Sequence, residues 1–131
     1  MKEDNVSRKM AKWDVNLKEA IKRYLVITKP MHNLRDKQID MLTLILLKYT
    51  LERNNFKRDS DVWKIVFTAD NMAEVRQTLD MNKGVFHNYI HKMKKAGVIK
   101  NGQIAPAFNP VLSPDTKALE IVFRFNINKD G

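Results

Sequence analysis

Residues 71–97 read NMAEVRQTLDMNKGVFHNYIHKMKKAG, and the fold turns on how this stretch is parsed. Met72, Val75 and Leu79 recur at i, i+3 and i+7, which sets them along one side of a short helix, and Asn71 and Glu74 are spaced as an N-cap pair at its start. Asp80-Met81-Asn82 interrupts the period. A second helix follows, because the short side chain of Asn82 can accept from an otherwise unpaired first-turn N–H, and Phe86, Tyr89, Ile90 and Met93 then share one inward face. Gly97 suits the left-handed position just past that helix, where a Cβ is penalised. The stretch therefore predicts two short helices meeting at a tight turn.

Downstream, Val98 and Ile99 lead into Asn101-Gly102, a strong tight-turn signal, and Gln103 to Phe108 form a return strand. Pro110 and Pro114 make Asn109 to Lys117 a loop. Leu119, Ile121, Phe123, Phe125 and Ile127 then alternate with Glu120, Arg124 and Asn126, the period of a half-buried strand. Together these elements resemble the winged helix-turn-helix family over residues 62–127. Val75, Leu79, Met81, Phe86 and Tyr89 have the spacing at which helix-turn-helix units pack their two helices, and Met93 to Ile99 looks like the passage from recognition helix into the first wing strand. Arg76 stands where the family pattern has a small residue, and Asp80 where it has a turn glycine. The resemblance implies a helix-turn-helix over about 71–96, a wing over about 98–127, and a recognition helix, 82–95, in the major groove of DNA.

Upstream, after a loop from Glu52 to Asp61, Val62 to Phe67 fit a short strand with Trp63, Ile65 and Phe67 alternating on one face, or the opening of another helix; six residues do not separate the two periods, and the strand is the preferred reading. From Arg35 to about Arg53, the apolar positions Ile39, Met41, Leu42, Leu44, Ile45, Leu46, Leu47 and Tyr49 cover nearly every side of one helix, which makes it central and buried. Pro30 separates it from a first amphipathic helix, opened by Asn16 with Glu19 three residues on and carrying Leu17, Ala20, Ile21, Tyr24 and Leu25. Residues 1–12 lack any apolar period and are expected to form a flexible basic N-terminus, with 13–131 as a single domain. The expected class is mainly α with a small β-hairpin or sheet (α+β): a winged helix-turn-helix with an extra N-terminal helix.

The 131 residues hold 24 Lys plus Arg against 15 Asp plus Glu, a net charge of +9. The excess is local: no acid lies between Asp80 and Asp115, an interval holding Lys83, Lys92, Lys94, Lys95 and Lys100. A chain of this size buries about two-thirds of its unfolded surface, enough for one core. The absence of cysteine excludes disulfides, thiol nucleophiles and Cys-bearing zinc sites. The most apolar run, Met41 to Leu47, falls far short of the roughly 20 residues a bilayer requires, and Met1-Lys2-Glu3-Asp4-Asn5 lacks the apolar stretch of a signal peptide, so no membrane contact and a cytoplasmic location are expected.

With the inward positions of helix 82–95 set aside, Lys83, Gly84, Val85, His87, Asn88 and His91 face outward. Lys83 can donate to guanine O6 and N7, Asn88 can pair bidentately with adenine, and Gly84 lets a backbone approach closely, while Lys92, Lys94, Lys95 and Lys100 suit phosphates. These ten residues are the candidate DNA-binding set. His87 and His91 have the i, i+4 spacing of zinc ligands but lack the intervening Glu of a metalloprotease motif, and no nucleophile elbow or phosphate loop occurs. No metal, no cofactor and no enzymatic activity are expected. The expected function is double-stranded DNA binding, as a transcription regulator or an accessory protein of a phage or mobile element. A winged-helix module for protein interaction or assembly and a replication initiator are the alternatives. Trp13 and the amphipathic helix suggest a homodimer through residues 13–27.

Overall fold

The most apolar helix of the sequence, α3 (Asp36–Glu52), runs through the centre of the molecule, with Met41, Leu42, Ile45 and Leu46 wholly buried. The computed structural model describes residues 5–129. Before α3 come α1 (Leu17–Ile27) and the single turn α2 (Lys29–His32), and after it a 3₁₀ turn (Arg53–Asn55), α4 (Asp59–Val66), α5 (Ala69–Thr78) and α6 (Lys83–Lys95). A two-stranded antiparallel sheet, β1 (Ile99–Lys100) with β2 (Gln103–Ile104), and a 3₁₀ turn (Pro106–Phe108) complete the regular structure among the described residues. The protein is thus mainly helical with a small sheet. α1, α4 and α5 all pack on α3.

Asn16 caps α1 as its spacing indicates, its Oδ1 accepting from the Glu19 N–H at 2.8 Å. Ile21 and Leu25 are wholly buried, and Leu17, Ala20 and Tyr24 pack against the same core. The apolar stripe expected to support a homodimer through 13–27 is therefore covered internally by α3. What stays exposed at this end is Trp13, Val15, Val26 and Ile27, with the Arg23 guanidinium 5.9 Å from the Trp13 ring centre. Residues 5–16 carry no helix or strand; the first four residues of the expected flexible tail, and residues 130–131, lie outside the described residues.

Polar groups inside the core are all answered by local partners. Thr43 and Thr50 donate to the carbonyls one turn back, of Ile39 and Leu46, at 2.7 and 2.8 Å. Buried His32 accepts the Leu34 N–H at Nδ1 (3.0 Å), so its proton sits on Nε2, which donates to the Leu25 carbonyl at 2.7 Å. That ring joins the end of α1 to the start of α3 and meets Phe108 edge-on at 5.8 Å.

Three expectations are corrected. Residues 62–67 are not a strand: Val62 to Val66 belong to α4, which begins inside the expected loop 52–61, and Phe67 is its C-cap. Asp59 and Asp61 place negative charge in its first turn, favourable to the helix dipole, and Val62, Trp63 and Val66 are buried at helical spacing while Ile65 is exposed, the reverse of an alternating face. Asp59 draws the packing together, accepting from the Tyr49 hydroxyl and from Trp63 Nε1 (3.2 Å), with the Tyr49 and Trp63 rings stacked at 4.2 Å. Second, α5 starts after Thr68, whose hydroxyl accepts from the Asn71 N–H, so Asn71 lies inside the helix. Its Nδ2 instead donates to the Ile65 carbonyl at 2.7 Å, tying α4 to α5.

Third, the expected wing over 98–127 contracts to a hairpin. Ile99 pairs with Ile104 and Lys100 with Gln103, around Asn101 (φ 55°) and Gly102 (φ 73°), both left-handed as that turn requires. Regular pairing stops at Ile104, where Pro106 opens the 3₁₀ turn in place of the expected strand to Phe108. Residues 119–127 form no strand. Between them the chain is pinned by Tyr24 Oη donating to the Ala107 carbonyl (2.8 Å) and Arg53 donating to the Leu112 carbonyl (3.2 Å), with Leu112 buried.

Candidate functional site

α5 and α6 end alike. After α6 the Gly97 N–H bonds to the Lys94 carbonyl (3.2 Å) and the Val98 N–H to that of Met93 (2.9 Å), with Gly97 at φ 79°. After α5 the Asp80 N–H bonds to the Gln77 carbonyl (3.0 Å) and the Met81 N–H to that of Arg76 (3.0 Å), with Asp80 at φ 51°. Both are the paired back-bonds of a helix terminated by a left-handed residue. Asp80 thus occupies the turn in the conformation a glycine would take, which Asp tolerates better than most residues. Arg76, where the helix-turn-helix pattern has a small residue, also donates from Nη1 to the Met81 carbonyl at 3.0 Å, strapping the turn from the side. The bulk of Arg76 gives no sign of this role, which lies in its guanidinium.

The α5 turn delivers the chain directly into α6. Asn82 caps the helix, its Oδ1 accepting from the Val85 N–H at 2.9 Å. Phe86 and Met93 are buried, Tyr89 and Ile90 are half-buried, and these four hold α6 to the body as their spacing indicates. The remaining residues of α6 face solvent: Lys83, Gly84, Val85, His87, Asn88, His91, Lys92, Lys94 and Lys95 are all exposed, as is Lys100 on β1. The structure brings nine of the ten candidate residues onto one helix. Gly84, His87, Asn88 and His91 follow each other at i, i+3, i+4 and i+7, a continuous outward stripe.

No carboxylate lies within 4.0 Å of these lysines among the described residues, whereas Lys22, Lys29, Lys48, Arg58 and Lys64 elsewhere each have one. No side-chain hydrogen bond links the outward polar groups of α6 to the rest of the described chain either; the Asn82 cap belongs to the helix itself. The field at this face is consequently that of uncompensated cations plus the positive N-terminal end of the helix dipole. Among the described residues no group of three or more His, Asp or Glu is placed to hold a metal ion. An open hollow of about 470 Å³ beside Arg53, Lys57 and Asp59 lies elsewhere; Asp59 is engaged by Tyr49 and Trp63, and Arg53 by the Leu112 carbonyl. Among the described residues no helix is long and apolar enough to cross a membrane. Comparison with protein-family models, with curated proteins and with solved structures finds no match.

Proposed function

We propose that this chain binds double-stranded DNA as a winged helix-turn-helix protein, with α5 as the first helix, α6 as the recognition helix in the major groove and the β1–β2 hairpin as a minimal wing. The observation that supports this most directly is the outward face of α6: nine exposed candidate residues, cationic or neutral, with Lys100 on β1 as the tenth, and no carboxylate within 4.0 Å of their lysines among the described residues. A solvated face serving stability alone would gain from interspersed acids that pair at i, i+4. Lys83 and Asn88 lie in the N-terminal half of the helix, the part that meets base edges, and Lys92, Lys94, Lys95 and Lys100 lie toward its end and on the hairpin, where phosphates run. The role fits a transcription regulator or an accessory DNA-binding protein of a phage or mobile element.

Selection from a random duplex library at physiological salt, read by sequencing, tests the proposal. An enriched motif is expected, with binding that weakens as salt rises by a log–log slope of roughly −0.9 per phosphate contact, each Lys→Ala flattening it by about one unit. A slope near zero and no enriched motif would overturn it.

A further inference from the structure

The three most exposed large apolar side chains of the described residues, Ile127, Phe125 and Val122, are 90, 86 and 82% exposed and lie on one segment. That segment, 117–128, has no helix, turn or ladder of its own, although its β-branched and aromatic residues favour a strand. Its odd-numbered face starts against the body, with Leu119 packed on the core and Ile121 half-buried, and is uncovered from Phe123 onward. An unpaired apolar strand presents a row of N–H and C=O groups that can accept another strand.

The sequence of the segment identifies the partner strand. When two copies run antiparallel with Val122 opposite Val122, Glu120 of each stands opposite Arg124 of the other, Leu119 opposite Phe125, and Ile121 opposite Phe123. One face of the ribbon is then wholly apolar, and the other carries two opposite-charge pairs flanking the valines. Neighbouring registers lose this: centred on Phe123, Arg124 meets Val122 and Glu120 meets Asn126; centred on Ile121, Arg124 meets Ala118 and Glu120 meets Val122. Parallel in-register pairing sets Glu120 on Glu120. We propose that two copies of this chain associate through residues 119–125 in the antiparallel register centred on Val122, an isologous contact in which the same patch serves both partners. A bare two-stranded ribbon is marginal in water, so its apolar face lies against the bodies that Leu119 already touches. This contact is separate from α1 and from α6, and it stands whether or not α6 binds DNA.

The test is sedimentation equilibrium of the full chain, without DNA, for the wild type, Glu120→Arg, Arg124→Glu and the double variant. Both side chains are exposed, and a melting curve on each variant verifies that the fold is retained. The wild type is expected to dimerise. Each single substitution puts like charges opposite at both pairs and should raise the dissociation constant on the order of tenfold, while the double variant restores it. An equimolar mixture of the two single variants should form a heterodimer, because every charge then again faces its opposite. A monomeric wild type, single variants that dimerise unchanged, or a mixture that recovers nothing would each overturn the proposal.

Discussion

α3 and α6 are both anchored by large apolar side chains, and they treat their polar groups in opposite ways. On α3 the hydroxyls of Thr43, Tyr49 and Thr50 are buried and each is bonded within the chain, to a carbonyl or to Asp59. On α6 the Lys, His and Asn side chains of the outer face are exposed and directed away from it. Buried polar groups cost free energy unless paired, so α3 illustrates what folding demands of a helix. The polar face of α6 contributes nothing comparable to folding, which leaves its composition free to answer to a partner.

The largest expected effect comes from the one side of α6 that behaves like α3. Phe86→Ala leaves a cavity at a position 3% exposed and should cost about 3–5 kcal/mol, seen as a large fall in the melting midpoint, with DNA binding lost only as the helix pair unfolds. Asn88→Ala, one face over, should leave the midpoint within a few degrees yet relax discrimination by about 1–3 kcal/mol at one base position, measured by competition between duplexes. If Asn88→Ala melts like Phe86→Ala, the contrast between the two faces is false.

A finer probe is Gly84. A Cβ there would meet only Asn82 Oδ1, at 3.6 Å, an ordinary contact. Gly84→Ala should therefore raise stability by about 0.5–1 kcal/mol through helix propensity, while its methyl hinders close approach at the outer face and weakens DNA binding. Opposite signs in the two assays would sharpen the comparison; improvement in both would remove Gly84 from the interface.

The narrowest effect belongs to α3 and is confined to alkaline solution. Burial, reinforced by the hydrogen bond to Asp59, pushes the Tyr49 hydroxyl up from 10.0 to about 12. Its neutral form is favoured in the fold, so this contribution is intact below pH 10 and is lost as pH rises toward 12, where the unfolded chain has already ionised. Tyr49→Phe should flatten the fall in melting midpoint over that interval, and absorbance titration at alkaline pH should lose its latest tyrosine component.

The facing of α6 was legible because thirteen residues bounded by Asn82 and Gly97 cover more than three turns, enough for apolar Phe86, Tyr89, Ile90 and Met93 to define a period. α4 was not, since six residues fit either period, and the informative signal was the acidic pair Asp59 and Asp61 ahead of them rather than the alternation of Trp63, Ile65 and Phe67. The strand expected at 119–127 failed for another reason. Alternation indicates a capacity to pair and says nothing of whether this chain supplies the partner, and β2 ends at Ile104 with Pro106 after it. The outer stripe of α6 could be listed from sequence; the strapping of its turn by Arg76 could not, because a hydrogen bond from a guanidinium to a carbonyl five residues on leaves no periodic trace.

The pins on the chain after the hairpin bear on the order in which the molecule assembles and opens. Tyr24 to Ala107 spans 83 residues, Asn54 to Asp115 spans 61 and Arg53 to Leu112 spans 59, and all three bonds lie at exposed or partly buried positions. Closing such long loops is entropically costly and is offset here by few contacts, whereas α3 with α4 and α5 forms from neighbours in sequence. Residues 106–116 should accordingly dock last and undock first. Amide hydrogen exchange would register them as a unit that opens at a fraction of the global free energy while α3 stays protected and α6 is still in place.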